Sequence, residues 1–197
     1  LGLRFIMMGR KPKNVQPISK LPVGALVKDT ATKYYGLPII WVIADKNHAG
    51  YPDDSVTLLS KYILTLKCVD AKEPSNSNST RQNYGNNRYL YSNIRQWLNS
   101  AAAGAWYTPQ HSADAPPNNA NVWDGYNEYD AEAGFQNDFS ENFRNALLST
   151  SLTVVKPNID GGGTETVVDK VFLLSTTEVG LADEGYAEGS KLALFSD

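Results

Sequence analysis

Two histidines are the side chains best placed to move a proton near neutral pH, and both lie in polar loops, His48 in KNHAGYP and His111 in PQHSADAPP. Serine-hydrolase chemistry needs a nucleophile beside such a base and a carboxylate to orient the ring. The chain has no G-x-S-x-G elbow, and neither histidine has a motif nucleophile near it in sequence. Both are read as solvated or structural. No H-x-x-x-H spacing supports a histidine-based metal site, and GGG at 161 to 163 lacks the GK[ST] of a phosphate loop. Asp124, Glu128, Asp130 and Glu132 form the best calcium candidate, but their spacing does not reproduce an EF-hand loop, so a solvated acidic face is expected. EPSN at 73 to 76 is one insertion away from the Glu-Pro-Asn of calcium-dependent lectins and is treated as chance. The expectation is no catalytic set, no metal and no cofactor.

Aromatic side chains carry the stronger signal. Trp106, Tyr107, Trp123, Tyr126 and Tyr129 all fall in GAWYTPQHSADAPPNNANVWDGYNEYDAEAGFQND, a long irregular stretch outside the periodic segments. Rings on loops are typical of recognition surfaces, sugar-stacking platforms included. Asn118, Asn119, Asn121 and Asp124 add donors and acceptors suited to hydroxyls, and prolines 109, 116 and 117 stiffen the backbone. These nine aromatic and polar residues are the expected ligand surface. The competing reading is that the rings cover a subsidiary core built from loops.

The elements that must hold this surface are read from periodicity. VGALVKD, LPIIWVIADK and SVTLLSKYILTLKCVD read as three strands, with Ile39 to Ala44 central and buried on both faces. Cys68 is taken as a small apolar group on the third. KEPSNSNSTRQNYGNNRY is polar and aperiodic, hence a loop. In SNIRQWLNS, Ser92 caps a helix whose Ile94, Trp97, Leu98 and Ala101 form one apolar stripe. A second helix starts at Ser140, with Phe143, Ala146 and Leu147 inward. LTVVK and ETVVDKVFLLS pair through PNIDGGGT, and the capping box STTE, from Ser175 to Glu178, is expected to start a short third helix. The fold class is α+β: a mostly antiparallel sheet with two or three flanking helices and long loops. Residues 1 to 20, with two prolines and no period, read as an extended arm or linker, leaving 21 to 197 as a single domain.

A hydrophobic share of 42% with 20% charged residues is that of a folded domain rather than a disordered chain. The net charge of −3 disfavours a nucleic-acid partner, since no basic stripe is present to displace counterions. Apolar runs such as PIIWVIA stop short of a membrane span. One cysteine excludes an internal disulfide framework. The chain starts at Leu rather than Met and ends straight after the apolar KLALF, so both ends are read as cuts and the domain as incomplete at its C-terminus.

YGNNRY, SNIRQWLNS, AGF, VFLLSTTEVG and AEGSKLALFSD, in this order, resemble the bacterial and phage family called domain of unknown function 6273, found in gut Firmicutes and their phages. The resemblance runs from about Leu21 to Asp197. It implies a further tryptophan-rich segment beyond this chain, and a layout similar to formylglycine-generating enzyme and C-type lectins by analogy. The paired cysteines of that enzyme are absent, since Cys68 is alone. The resulting expectation is a non-enzymatic structural or adhesion module on a phage virion or bacterial surface, binding cell-surface glycan or neighbouring subunits. The alternative is a sugar-acting or hydrolytic enzyme completed by residues beyond the C-terminus. A purely architectural subunit, with residues 1 to 20 as its assembly arm, is the third.

Overall fold

The computed structural model describes residues 17–181 and 185–196; the side chain of Asp124 lies outside that description, as does the expected arm as far as position 16. The chain is α+β. Its strands are β1 (Leu26–Val27), β2 (Lys33–Tyr34), β3 (Leu37–Pro38), β4 (Trp41–Lys46), β5 (Val56–Ser60), β6 (Thr150–Val155) and β7 (Thr164–Asp169), and its helices α1 (Ser79–Tyr84), α2 (Asn93–Leu98) and α3 (Glu141–Ala146). All strand pairing is antiparallel, but it is divided among three sheets rather than gathered into one: β1-β4-β5, the hairpin β2-β3 and the hairpin β6-β7. The strand expected to be central is central. β4 lies between β1 and β5, and its Ile43 and Ala44 are wholly buried.

Several expectations are corrected by what each segment finds to pair with. The third strand stops at Ser60, beyond which Lys61 makes one further bond to Ile40 and the ladder ends. Cys68 is therefore not on a strand; it packs half-buried against the core, and burial pushes its thiol up to about 11. STTE forms its capping box, with Ser175 N–H donating to Glu178 Oε2 and Glu178 N–H to Ser175 Oγ, but the chain makes a single turn and no helix. Gly180 ends it at a φ of +79°, where a Cβ would stand 2.6 Å from Lys191 Cδ. The third helix is instead α1, inside the stretch read as loop. It buries nothing, so no apolar stripe marks it; Asn78 caps it, and Gly85 closes it with its Cα pressed on Ala71, where a Cβ would be 2.5 Å from the carbonyl oxygen.

α2 forms where expected, with Ser92 Oγ accepting from Arg95 N–H. Ile94, Trp97 and Leu98 are buried, whereas the helix ends at Leu98 and leaves Ala101 exposed. They join Ile39 and Trp41 of the sheet and Trp106, Tyr129, Phe135 and Phe139 of the irregular region in one core. Ser140 caps α3 through Phe143 N–H; Phe143 and Leu147 pack on the core, and Ala146 faces out. A smaller core of Leu152, Val154 and Val167 lies under the β6-β7 hairpin, with Tyr89 packed against both.

That hairpin is fastened to the rest by three arginines seven residues apart. Arg81 pairs with Asp160, Arg88 with Glu165 through two nitrogens, and Arg95 with the buried Asp169. On the other side of α2, the buried Asp70 accepts from the N–H groups of Asn86 and Asn93, while Asn93 accepts from Ala71 and donates to Asp114. Desolvation raises the Asp70 carboxyl to about 7; the two N–H bonds oppose this, and Asp114 and Glu73 add to it. This network ties α2 to the segment carrying the candidate surface.

Trp97 is 1% exposed and donates its indole N–H to Ala133, so Trp97→Ala is expected to cost about 3–5 kcal/mol in denaturant unfolding. A pH dependence follows from Asp70. Its folded pKa lies above the ordinary aspartate value of 3.8, so between the two the native state holds a proton the unfolded chain releases, and stability falls as pH rises from about 4 to about 7. Asp29 and Asp45 are shifted down and act below that window. The thermal midpoint should therefore drop between about pH 5 and about pH 8. Asp70→Asn, less stable for losing an acceptor, should show a flatter profile.

Candidate functional site

The expected surface divides into two groups. Trp106 and Tyr129 are core: their rings stack at 5.4 Å and 12°, the Trp106 indole N–H donates to Tyr129 O, and the Tyr129 hydroxyl donates to Cys68 O. Neither offers a face to a ligand. Tyr107 is half-buried, and burial together with the charges of Asp114, Asp70 and Glu73 pushes its phenol upward. The asparagines hold the loop's own shape. Asn118 Oδ1 accepts from the N–H groups of Ala120 and Asn121, Asn121 Nδ2 donates to Pro116 O, and Asn119 Nδ2 donates to Gly125 O. Gly125, at φ +68°, passes so near Asn119 that a Cβ would stand 3.2 Å from its Nδ2.

Trp123 and Tyr126 are different, at 56% and 74% exposed. Beside Trp123 stands Tyr84, 65% exposed, its ring stacked at 5.3 Å and 30°, with Lys72 Nζ 5.4 Å from the indole centroid. The two rings come from segments about forty positions apart. Tyr84 is set by α1 and its Gly85 cap, Trp123 by the 3-10 turn Trp123–Gly125, whose last carbonyl accepts from Asn119 Nδ2. Lys72 N–H bonds to Asn121 O and joins the two halves. Such a platform can stack the apolar face of a sugar or a planar side chain, with a cation at its edge. Sequence reading missed Tyr84 because α1 has no apolar period, and missed Lys72 because only tertiary pairing brings it there.

Under the platform, Glu73 is wholly buried with Oε1 3.0 Å from His111 Nε2, and its other oxygen accepts from Asn76. His48 is buried as well, with Nδ1 2.7 Å from Asp45 Oδ2 and Nε2 3.2 Å from Ser190 Oγ. Both histidines were visible in the sequence, but their partners were not. Glu132 of the acidic run pairs with Lys67. Among the described residues no group of three or more His, Cys, Asp or Glu side chains is disposed to hold a metal ion, and no helix is long and apolar enough to cross a membrane.

Residues 53–197 match the family model described as Domain of unknown function (DUF6273). The match begins later than the Leu21 the sequence motifs pointed to, and takes in α1 to α3, the platform and the β6-β7 hairpin. No curated protein and no solved structure matches the chain. With most of its length inside that model, including every motif from YGNNRY to FSD, the chain belongs to the DUF6273 family.

Proposed function

We propose that this protein is a recognition module that meets a glycan through the Tyr84–Trp123 platform, with Tyr126 three residues further along the same loop. The observation that carries the reading is the exposure of three large rings, Tyr84 at the end of α1 and Trp123 and Tyr126 on a loop whose turns are held by asparagine side chains. A ring that packs nothing costs solubility, and exposed rings held rigid lose little entropy on binding. Sugars present C–H faces that stack on such rings, and each stack adds on the order of 1 kcal/mol beyond area burial. The setting we propose is the outside of a phage particle or a bacterial cell, in an assembly with other subunits. A neighbouring protein in that assembly is the second candidate for the same surface, since aromatic anchors also dominate protein interfaces.

The test is binding to a glycan array and to host cells by wild type, Trp123→Ala, Tyr84→Ala and Tyr126→Ala. All three side chains are exposed, so the variants should keep the wild-type thermal midpoint. The expected result is roughly five- to tenfold weaker binding for Trp123→Ala and Tyr84→Ala, from the loss of about 1 kcal/mol or slightly more. Equal binding by all four proteins would move the site elsewhere.

A further inference from the structure

We propose that Ser190, His48 and Asp45 form an acyl-transfer site that hydrolyses neutral carboxylic esters. The proposal is independent of the aromatic platform and rests on other residues.

Asp45 lies near the end of β4, immediately after the point where the β4-β5 register shifts between Ile43 and Asp45. Such irregularities re-aim a strand side chain. Its Oδ1 accepts from Lys46 N–H at 2.7 Å, and its Oδ2 meets both His48 Nδ1 at 2.7 Å and Ala193 N–H at 3.0 Å. Burial opposes the charge of this carboxylate, but the hydrogen bonds outweigh it and hold the group below its ordinary range. An ionised Asp45 accepts only, so the proton of this contact belongs to His48 Nδ1, and the neutral ring in that tautomer presents Nε2 to Ser190 as an acceptor. The ring is braced by Tyr51 at 4.7 Å, edge to face, and the Tyr51 hydroxyl is bonded to Glu178.

Ser190 is exposed, yet the chain around it is pinned on both sides. Glu188 N–H donates to Thr177 Oγ1, its carbonyl accepts from Ser175 Oγ, and its carboxylate accepts from Val155 N–H. Leu192 is wholly buried with its N–H on Glu178 O, and Ala193 is bonded to Asp45 itself. The capping box that starts no helix therefore has a positional consequence. Its turn, from Ser175 to Gly180, is the scaffold on which the 188–192 segment is laid across His48. An Oγ···Nε2 distance of 3.2 Å is within reach for a general base before substrate binds.

A cleft of about 350 Å³ is lined by Ala49, Tyr51, Ser175, Glu178, Glu188 and Gly189; Ala49 and Gly189 adjoin His48 and Ser190 in the chain, while the three reacting residues lie outside the lining. The two carboxylates beside the trio disfavour an anionic substrate, so a neutral ester is the class it would take. In the first half-reaction Ser190 Oγ bonds to the ester carbonyl carbon as its proton passes to His48 Nε2. The carbon–oxygen bond to the alcohol then breaks, and His48 returns the proton to the departing oxygen. Water repeats the sequence against the acyl-serine, giving up a proton to His48 and releasing the carboxylic acid as Ser190 Oγ recovers its hydrogen. Among the described residues the N–H groups of Ser190 and Lys191 find no acceptor, which leaves them free to donate to a charged carbonyl oxygen. Asp45 acts through His48 as a positioning residue.

The experiment uses a fluorophosphonate probe, which reacts with activated serines, and p-nitrophenyl acetate as substrate. Wild type should be labelled at Ser190 by peptide mapping and should turn over the ester. Ser190→Ala, with its thermal midpoint unchanged, should lose the label and fall on the order of a thousandfold or more in rate. Asp45→Asn should abolish labelling along with the downfield proton resonance of a carboxylate-bound His48 Nδ1. Ester turnover equal in wild type and Ser190→Ala overturns the proposal, as does a label on another residue or labelling that survives in Asp45→Asn.

Discussion

Everything in this protein is arranged around a six-residue helix that cannot hold itself together. α2 forms barely two turns, far short of the length at which an isolated helix is stable in water. Its persistence depends on neighbours at every face. Ile94, Trp97 and Leu98 enter the main core, Asn93 enters the Asp70 network, and Arg95 reaches Asp169 and the carbonyls of Leu90 and Val168. Trp97 is the centre of this, with Tyr34, Tyr129 and Phe135 around its ring. Burial of one indole thus positions the sheet and the irregular region relative to one another, while Arg95 of the same helix holds the hairpin.

The molecule is built largely from chain without regular structure, and this changes what its aromatic residues mean. Strands and helices are short, so the loops must supply apolar bulk to reach an adequate core. Trp106, Tyr129, Phe135 and Phe139 do so, and their backbone polar groups are satisfied by local turns and by asparagine side chains. Once that requirement is met, Trp123 and Tyr126 are left exposed by a backbone with no freedom to turn them inward. It is this division between packed and unpacked rings, rather than the aromatic content of the region, that singles out a surface for recognition.

Buried polar groups are the second organising feature. Asp70, Asn93 and Asp114 lie under the platform segment, while Asp45 and His48 lie under the segment that carries Ser190. Each set is costly to bury and is retained with most of its hydrogen bonds made, which fixes a geometry that apolar contacts alone would leave loose. The three arginine pairs to the hairpin act on the same principle at the periphery, and in the bidentate Arg88–Glu165 pair the geometry adds direction to an otherwise modest attraction.

What the sequence determined by itself was local. Ser92 and Ser140 as caps, the stripe Ile94-Trp97-Leu98, the central strand with its buried Ile43 and Ala44, and the β6-β7 hairpin around its glycines all follow from interactions within a few residues, and their signal is periodic. The capping box at Ser175 was equally legible, but Gly180 decided that it would close a turn. Tertiary structure alone decided the rest. α1 has no apolar period to read; the antiparallel ladders divide into three sheets; Trp106 and Tyr129 part from Trp123 and Tyr126 although all four sit in one stretch. Tyr84 beside Trp123, and Ser190 beside His48, are meetings across about 40 and 142 positions. No local propensity encodes such pairs, because they exist only once loop closure has been offset by the shared core.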